Sequence, residues 1–164
     1  MTFILQGKVK TVYELDEPDK VLIQYEDKVT AGNGKKEAYV EDKGKVCCLI
    51  SELLFRELEQ CGIKTHYISM PTHRAMAVKK VDIIPIEVVV RNVAAGSIVR
   101  QTPLEEGTVF SNPLVEFYLK DDEKDDPLLT EDRARLIGDY PLRELKQLAA
   151  EVNVVLQDIF KKID

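Results

Sequence analysis

The sequence predicts an α+β fold, and three observations carry that reading. Val9, Thr11, Tyr13 and Leu15 alternate on one face of an extended segment near the start. Two helical stripes follow far apart in the chain: Val46, Leu49, Ile50, Leu53, Leu54 and Leu58, then Leu142, Leu145, Ala149, Val152, Leu156 and Ile159. The apolar runs between them have the length of strands rather than helices. With 164 residues, 45% of them apolar, the chain can form the core of one domain or of two small lobes.

Taken in order, Gly7-Lys8-Val9-Lys10 reads as a turn entering the first strand. A turn around Pro18 then sends the chain back through Val21-Leu22-Ile23-Gln24-Tyr25. Glycine beside two lysines can hold phosphates through close backbone N–H groups and ammonium charge, or it can be an ordinary turn. Residues 27–44 show no apolar period and read as a mobile loop or lid. From Lys45 the period becomes helical, and Gly62 supplies the stop. Residues 63–69 and 74–81 read as two more strands, with His66 and His73 as structural or surface histidines. Lys79 and Lys80 lead into the connector Asp82-Ile83-Ile84-Pro85, which is either a strand-to-strand turn or a wall for an adenine ring.

Ile83 to Ser97 is the most apolar run and ends in an unusual polar cluster. Val88, Val89 and Val90 suit a buried strand, whereas Glu87, Arg91 and Asn92 at its ends need partners there. Ala94-Ala95-Gly96-Ser97 is small enough for a ligand to approach the backbone, and the run also fits a core strand ending in a turn. Beyond it, residues 98–100 form a helical turn, Glu105-Glu106-Gly107 a solvated turn, and Leu114 to Lys120 a strand. Asp121, Asp122, Glu123, Asp125 and Asp126 then make a solvated loop or a cation site. Thr130 caps a short helix, and the last helix runs from Pro141 to Lys162.

A formal net charge of -6 argues against a general nucleic-acid binder but leaves room for a local basic pocket. Cys47, Cys48 and Cys61 are odd in number, and neighbouring cysteines on a helix make poor disulfide partners, which favours a reducing, cytoplasmic setting. The histidines and cysteines lack the spacing of a zinc site. Phe3-Ile4-Leu5 is far below signal-peptide or membrane-span length, so no membrane is expected.

Taken together, several segments resemble the phosphoribosylaminoimidazole-succinocarboxamide (SAICAR) synthase family. They are Gly7-Lys8-Val9-Lys10-Thr11-Val12-Tyr13, Ala31-Gly32-Asn33-Gly34, Gly62-Ile63-Lys64-Thr65-His66, Val78-Lys79-Lys80, Pro85 through Ser97, Glu116 through Asp122, and Asp126-Pro127. The most specific is Arg91-Asn92-Val93-Ala94-Ala95-Gly96-Ser97. The resemblance implies a two-lobed, mainly antiparallel fold with a long helix in each lobe: residues 1–82 bind nucleotide and residues 83–164 form an incomplete substrate-binding lobe.

It also implies an ATP- and Mg2+-dependent ligation of L-aspartate to carboxyaminoimidazole ribonucleotide (CAIR). Gly7, Lys8, Val9 and Lys10 would hold ATP phosphates, with Lys79 and Ile84 by the adenine. Arg91 and Ser97 would bind the ribonucleotide phosphate. Glu87 and Asp126 would meet the imidazole carboxylate through magnesium, and Lys120 and Asp122, with Asp126, would place the reacting groups.

The chain departs from the family pattern at two places. Cys47-Cys48 stands where the family carries Asn-Asn. The family's later Asp-Phe-Lys-Leu-Glu-Phe-Gly strand and Asp-Glu-x-x-Pro-Asp segment, expected to hold ATP-bound magnesium, do not occur before Asp164. The expectations are therefore a SAICAR synthase, a non-catalytic paralogue that captures a phosphorylated ribonucleotide, or one part of a split enzyme. The partners to match are small-molecule substrates, a second copy in a homo-oligomer, or a complementing C-terminal polypeptide.

Overall fold

The structure, a computed structural model, describes residues 2–31 and 36–163, apart from the side chain of Asp122. It divides into two compact units, Met1–Asp82 and Ile83–Asp164. The first holds strands β1 (Thr2–Gln6), β2 (Lys10–Glu14), β3 (Lys20–Tyr25), β4 (Lys28–Ala31) and β5 (Lys36–Tyr39), helix α1 (Lys43–Gln60), and strands β6 (Tyr67–Thr72) and β7 (Ala75–Lys79). The second holds β8 (Ile86–Val93), α2 (Ser97–Gln101), β9 (Val109–Leu119), a 3-10 turn (Asp122–Lys124), β10 (Leu128–Leu129), α3 (Glu131–Ile137) and α4 (Leu142–Phe160).

The main sheet of the first unit has the order β1-β2-β3-β7-β6, and every pairing is antiparallel. β7 is buried from Ala75 to Val78. Met76 and Val78 pack with Val21, Tyr25, Cys48 and Tyr67 on the helix side, whereas Ala75 and Ala77 meet Leu22, Tyr13 and Leu15 on the other. Side chains the size of Met76 or Val78, removed fully from water, each contribute about 1.5–3 kcal/mol.

Helix α1 begins by close backbone contact. A Cβ on Gly44 would lie 2.6 Å from the Tyr25 carbonyl oxygen, so only glycine allows the helix this near to β3. The Gly44 N–H donates to Asp27 Oδ1 at 2.8 Å, satisfying one of the unpaired amides of the first turn. Arg74 donates to the same Asp27 oxygen at 2.6 Å and to Asp42, which has φ 61, at 2.9 Å.

Two expectations for this unit are corrected, and the structure adds one strand that the sequence leaves unassigned. Residues 27–44 are not simply a loop: β4 and β5 pair antiparallel within them, while residues 32–35 lie outside the described residues. Phe3-Ile4-Leu5 belongs to strand β1. The buried side of α1 is formed by Gly44, Cys48 and Leu58 with Cys47 and Phe55, whereas Val46, Ile50 and Leu53 are half-exposed.

In the second unit β9 lies between β8 and β10. Ile86 and Phe117 on one sheet face pack with Ala134 and Leu142 of the helices, joined by Val88, Leu129, Tyr140 and Leu145. Thr130 caps α3 by accepting from the Arg133 N–H at 3.2 Å. Asn92 locks α4 to the strand through three amide bonds: its Nδ2 donates to Asn153 Oδ1 at 2.8 Å, and its Oδ1 accepts from Asn153 Nδ2 at 3.1 Å and Gln157 Nε2 at 3.0 Å. β8 is half-buried rather than a fully buried core strand, because among the described residues only β9 pairs with it. No helix among the described residues is long and apolar enough to cross a membrane.

Candidate functional site

Strand alternation in the second unit sends Val88, Val90 and Asn92 toward α4, leaving Glu87, Val89 and Arg91 on the opposite sheet face. The β8–β9 register places Val89 opposite Glu116 and Glu87 opposite Tyr118, so those two β9 side chains share the face. Arg91 reaches diagonally across the pair and donates from Nε to Glu116 Oε2 at 2.7 Å. Its Nη2 donates to Ser97 Oγ at 2.8 Å and to the Tyr118 hydroxyl at 3.2 Å, and its Nη1 donates to the Ala95 carbonyl at 3.1 Å. The Tyr118 hydroxyl in turn donates to Glu116 Oε2 at 3.0 Å.

Little water screens the central pair, since the Arg91 and Glu116 side chains are only 17% and 15% exposed. Glu116, then Tyr118, raises the Arg91 guanidinium further above its ordinary range. Gly96 makes the local turn: its φ of 69 with ψ of -124 is suited to glycine, and it brings Ser97 back beneath Arg91. The result is a neutral ion pair bordered by two hydroxyls and a backbone carbonyl. An oxyanion can exchange with the Ser97 or Ala95 acceptors and keep Arg91 hydrogen-bonded, which suits recognition of a phosphate.

The other expected site residues lie as follows. Glu87 is exposed on the Arg91 face. Lys120 follows β9, exposed, with its N–H on the Pro85 carbonyl at 3.1 Å. Asp126 has φ 45, and its Oδ1 accepts from the Asp121 N–H at 2.8 Å, which folds the acidic loop on itself. Lys124 holds the Asp121 carboxyl below the usual carboxylate range. The backbone of Asp122 is in the 3-10 turn, and its side chain lies outside the description. Among the described residues no group of three or more His, Cys, Asp or Glu side chains could hold a metal ion.

In the first unit, the Gly7 N–H donates to the Lys10 carbonyl at 2.8 Å, so this amide closes the β1–β2 turn. The Val9 carbonyl accepts from the Glu26 N–H, and Lys10 Nζ lies 4.5 Å from the centre of the Tyr25 ring. Lys8 sits in the same turn. Lys79 is at the opposite end of the sheet: Lys10 pairs with Tyr25 and Lys79 with Lys20, separated by the length of β3, about 17 Å. Lys79 borders a cavity of about 200 Å³ with Glu59 and Gly62 through Thr65. Ile84, in the connector, accepts from the Ile86 N–H through its carbonyl.

Sequence reading missed Glu116 and Tyr118 as site residues. Their i, i+2 spacing put them on one strand face, but only the β8–β9 register brings that face to Arg91.

Comparison with known proteins identifies the family. Residues 3–164 match the family model described as SAICAR synthetase. The phosphoribosylaminoimidazole-succinocarboxamide synthase of Synechocystis is 49% identical over 167 residues, which cover all of this chain and 63% of that protein. The structure of the enzyme of that name from Ehrlichia chaffeensis superposes with a TM-score of 0.92 at 37% identity, covering 98% of this chain and 69% of that one. A SAICAR synthetase solved in complex with ADP gives 0.91 at 37% identity, over 96% of this chain and 68% of that one. This chain thus spans about two-thirds of the length of the proteins it matches. With the family model matched over nearly its whole length, the chain belongs to the SAICAR synthetase family.

Proposed function

We propose that this chain takes part in the ATP-dependent ligation of L-aspartate to CAIR, a step of purine biosynthesis in the cytoplasm. The reading is carried by the Arg91–Glu116–Tyr118–Ser97 cluster, a built anion-recognition face in a chain of this family. In the reaction, the CAIR carboxylate attacks the γ-phosphorus of ATP and ADP departs, leaving an acyl phosphate. The aspartate amine attacks that carbonyl carbon, inorganic phosphate leaves, the amide forms and the amine loses a proton. Such chemistry depends on positioning and charge neutralisation more than on a protein nucleophile.

In this reading the first unit binds nucleotide: the Gly7-Lys8-Val9-Lys10 turn lies by the phosphates, and Lys79 by the adenine. A SAICAR synthetase of the same fold has been solved with ADP, which supports nucleotide binding. The second unit binds the other substrates. Arg91 and Ser97 hold the ribonucleotide phosphate, Glu116 and Tyr118 orient Arg91, and Lys120 and Asp122 place the aspartate and imidazole carboxylate. Glu87 and Asp126 are the carboxylates suited to magnesium. Among the described residues, two such hard oxygen donors fit an ion that keeps several waters and leans on substrate phosphates. Bound magnesium would supply charge neutralisation between the two anionic substrates.

The test is turnover by the purified full chain with ATP, magnesium, L-aspartate and CAIR, following ADP and the succinocarboxamide together. Coupled formation of both supports ligation. ADP release without amide product, or titration calorimetry showing CAIR binding unchanged by Arg91→Ala, would sink the assignment.

A further inference from the structure

We propose, building on the reading that Arg91 and Ser97 hold the ribonucleotide phosphate, that Asn153 and Gln157 of α4 are positioning residues for that site. Through Asn92 they set where the Ser97 hydroxyl and the Ala95 carbonyl stand relative to Arg91. The β8–β9 ladder breaks beside this cluster. Pairing is regular from Ile86 opposite Leu119 to Arg91 opposite Leu114, then resumes with Val93 opposite Val109. One residue of β8, Asn92, thus spans a gap that β9 crosses with Phe110, Ser111, Asn112 and Pro113. Pro113 has no N–H to offer the ladder there. An irregularity of this kind re-aims the residues that follow it, and such features concentrate beside functional sites.

The gap divides the recognition face. Arg91 ends the first ladder segment. Its acceptors Ala95 and Ser97 follow the second, in which the Ala94 N–H donates to the Thr108 carbonyl at 2.8 Å and the Gly107 N–H to the Ala94 carbonyl at 2.9 Å. On β8 the residue joining the two segments is Asn92, which has no place in the cross-strand register. Side-chain amides hold it instead. Asn92 and Asn153 exchange a reciprocal pair of bonds at 2.8 and 3.1 Å, and Gln157 Nε2 fills the second acceptor position of Asn92 Oδ1 at 3.0 Å. Asn153 and Gln157 stand one turn apart on the same face of α4, so a single rigid helix presents both.

Docking the helix does not by itself require this chemistry. Leu142 and Leu145 already pack α4 against Ile86 and Phe117, toward the other end of β8. Apolar contacts of that kind are non-directional, whereas three amide bonds on one carboxamide admit a single orientation. They are placed at the one residue of β8 where the ladder yields, between Arg91 and the fully buried Ala94. The two α4 side chains therefore act from the face of the sheet opposite the phosphate-binding cluster and touch no part of it. Misplacement of a binding group by about 1 Å, caused from a distance, can cost about a hundredfold. A lock at Asn92 holds Arg91 and Ser97 within that tolerance.

Titration calorimetry with CAIR on the full chain reads the effect. Asn153→Ala keeps the helix, removes two of the three bonds and should weaken CAIR binding about tenfold. Leu145→Ala loosens α4 through the core and leaves the amides in place. It should lower the melting temperature at least as much, yet change CAIR affinity by less than about twofold. In an Arg91→Ala background no guanidinium remains to be aimed, so Asn153→Ala should cost less than about twofold further. Binding that is lost in Arg91→Ala but indifferent to Asn153→Ala would overturn this inference and leave the phosphate reading standing. An equal loss in Leu145→Ala, or a full further loss in the Arg91→Ala background, would also overturn it, since either result makes α4 a general support. CAIR binding unchanged by Arg91→Ala would sink the phosphate reading and this inference with it. If Asn153→Ala does not fold, Gln157→Ala removes one bond and should still weaken binding about threefold; indifference there decides against the proposal.

Discussion

Two arginines organise the two units, and they do so differently. Arg74 is 40% exposed and faces two carboxylates, Asp27 and Asp42, making a cluster with one negative charge in excess. Arg91 is 17% exposed and faces one carboxylate, with Ser97, Tyr118 and the Ala95 carbonyl completing its bonds. The first arrangement repels an incoming anion and joins chain segments: Asp27 also receives the Gly44 amide, which fixes the start of α1. The second is neutral and offers exchangeable hydroxyls. An arginine's role therefore follows from what surrounds it. Two acids make a structural joint, whereas one acid with neutral acceptors makes a recognition site.

The largest expected effect strikes the joint. Gly44→Ala drives a Cβ to within 2.6 Å of the Tyr25 carbonyl oxygen, and backbone on both sides leaves little room to relax. It should destabilise the first unit by about 3 kcal/mol, read as a lower urea midpoint by circular dichroism. Next, Arg91→Ala should weaken ribonucleotide binding about a hundredfold in calorimetry, the loss expected for charge-assisted bonds to one phosphate. Arg74→Ala should leave that affinity unchanged while lowering the melting temperature by about 5 °C. A loss of binding with Arg74→Ala would erase the distinction between the two arginines.

A smaller effect is expected from Glu116→Gln, which preserves shape but weakens the hold on Arg91. Affinity should fall about threefold to tenfold, and Glu116→Ala should cost more. The smallest effect is that of pH. The Arg74 bond, followed by the Gly44 amide, holds the Asp27 carboxyl below its ordinary range. Its stabilisation is complete above the unfolded aspartate value, about 3.9, and is lost as pH falls through the lower folded value. Asp27→Asn should therefore flatten the acid limb of a urea-midpoint curve below about pH 4.

Legibility in the sequence followed the one-sidedness of each element. α4 has a single apolar stripe, and Leu142 and Leu145 lie in the core as that stripe predicts. α1 is apolar on more than one face, so periodicity alone could not choose between the Cys48 side and the Val46–Ile50–Leu53 side. A close approach at Gly44 made that choice. β4 and β5 lack alternating apolar residues because their pairing is mostly exposed. At the site, Arg91 and Ser97 stood out as polar groups ending an apolar run. Glu116 and Tyr118 did not, because their contribution depends on a cross-strand register that neither segment reveals alone.

The amide triad of Asn92, Asn153 and Gln157 also bears on how this protein can vary. An aliphatic residue at position 92 would strand two carboxamides on α4, so the strand and the helix cannot drift independently in sequence. In a saturation library selected for folding, tolerated changes at positions 92, 153 and 157 should arrive as matched sets, while Leu148 beside them varies one substitution at a time.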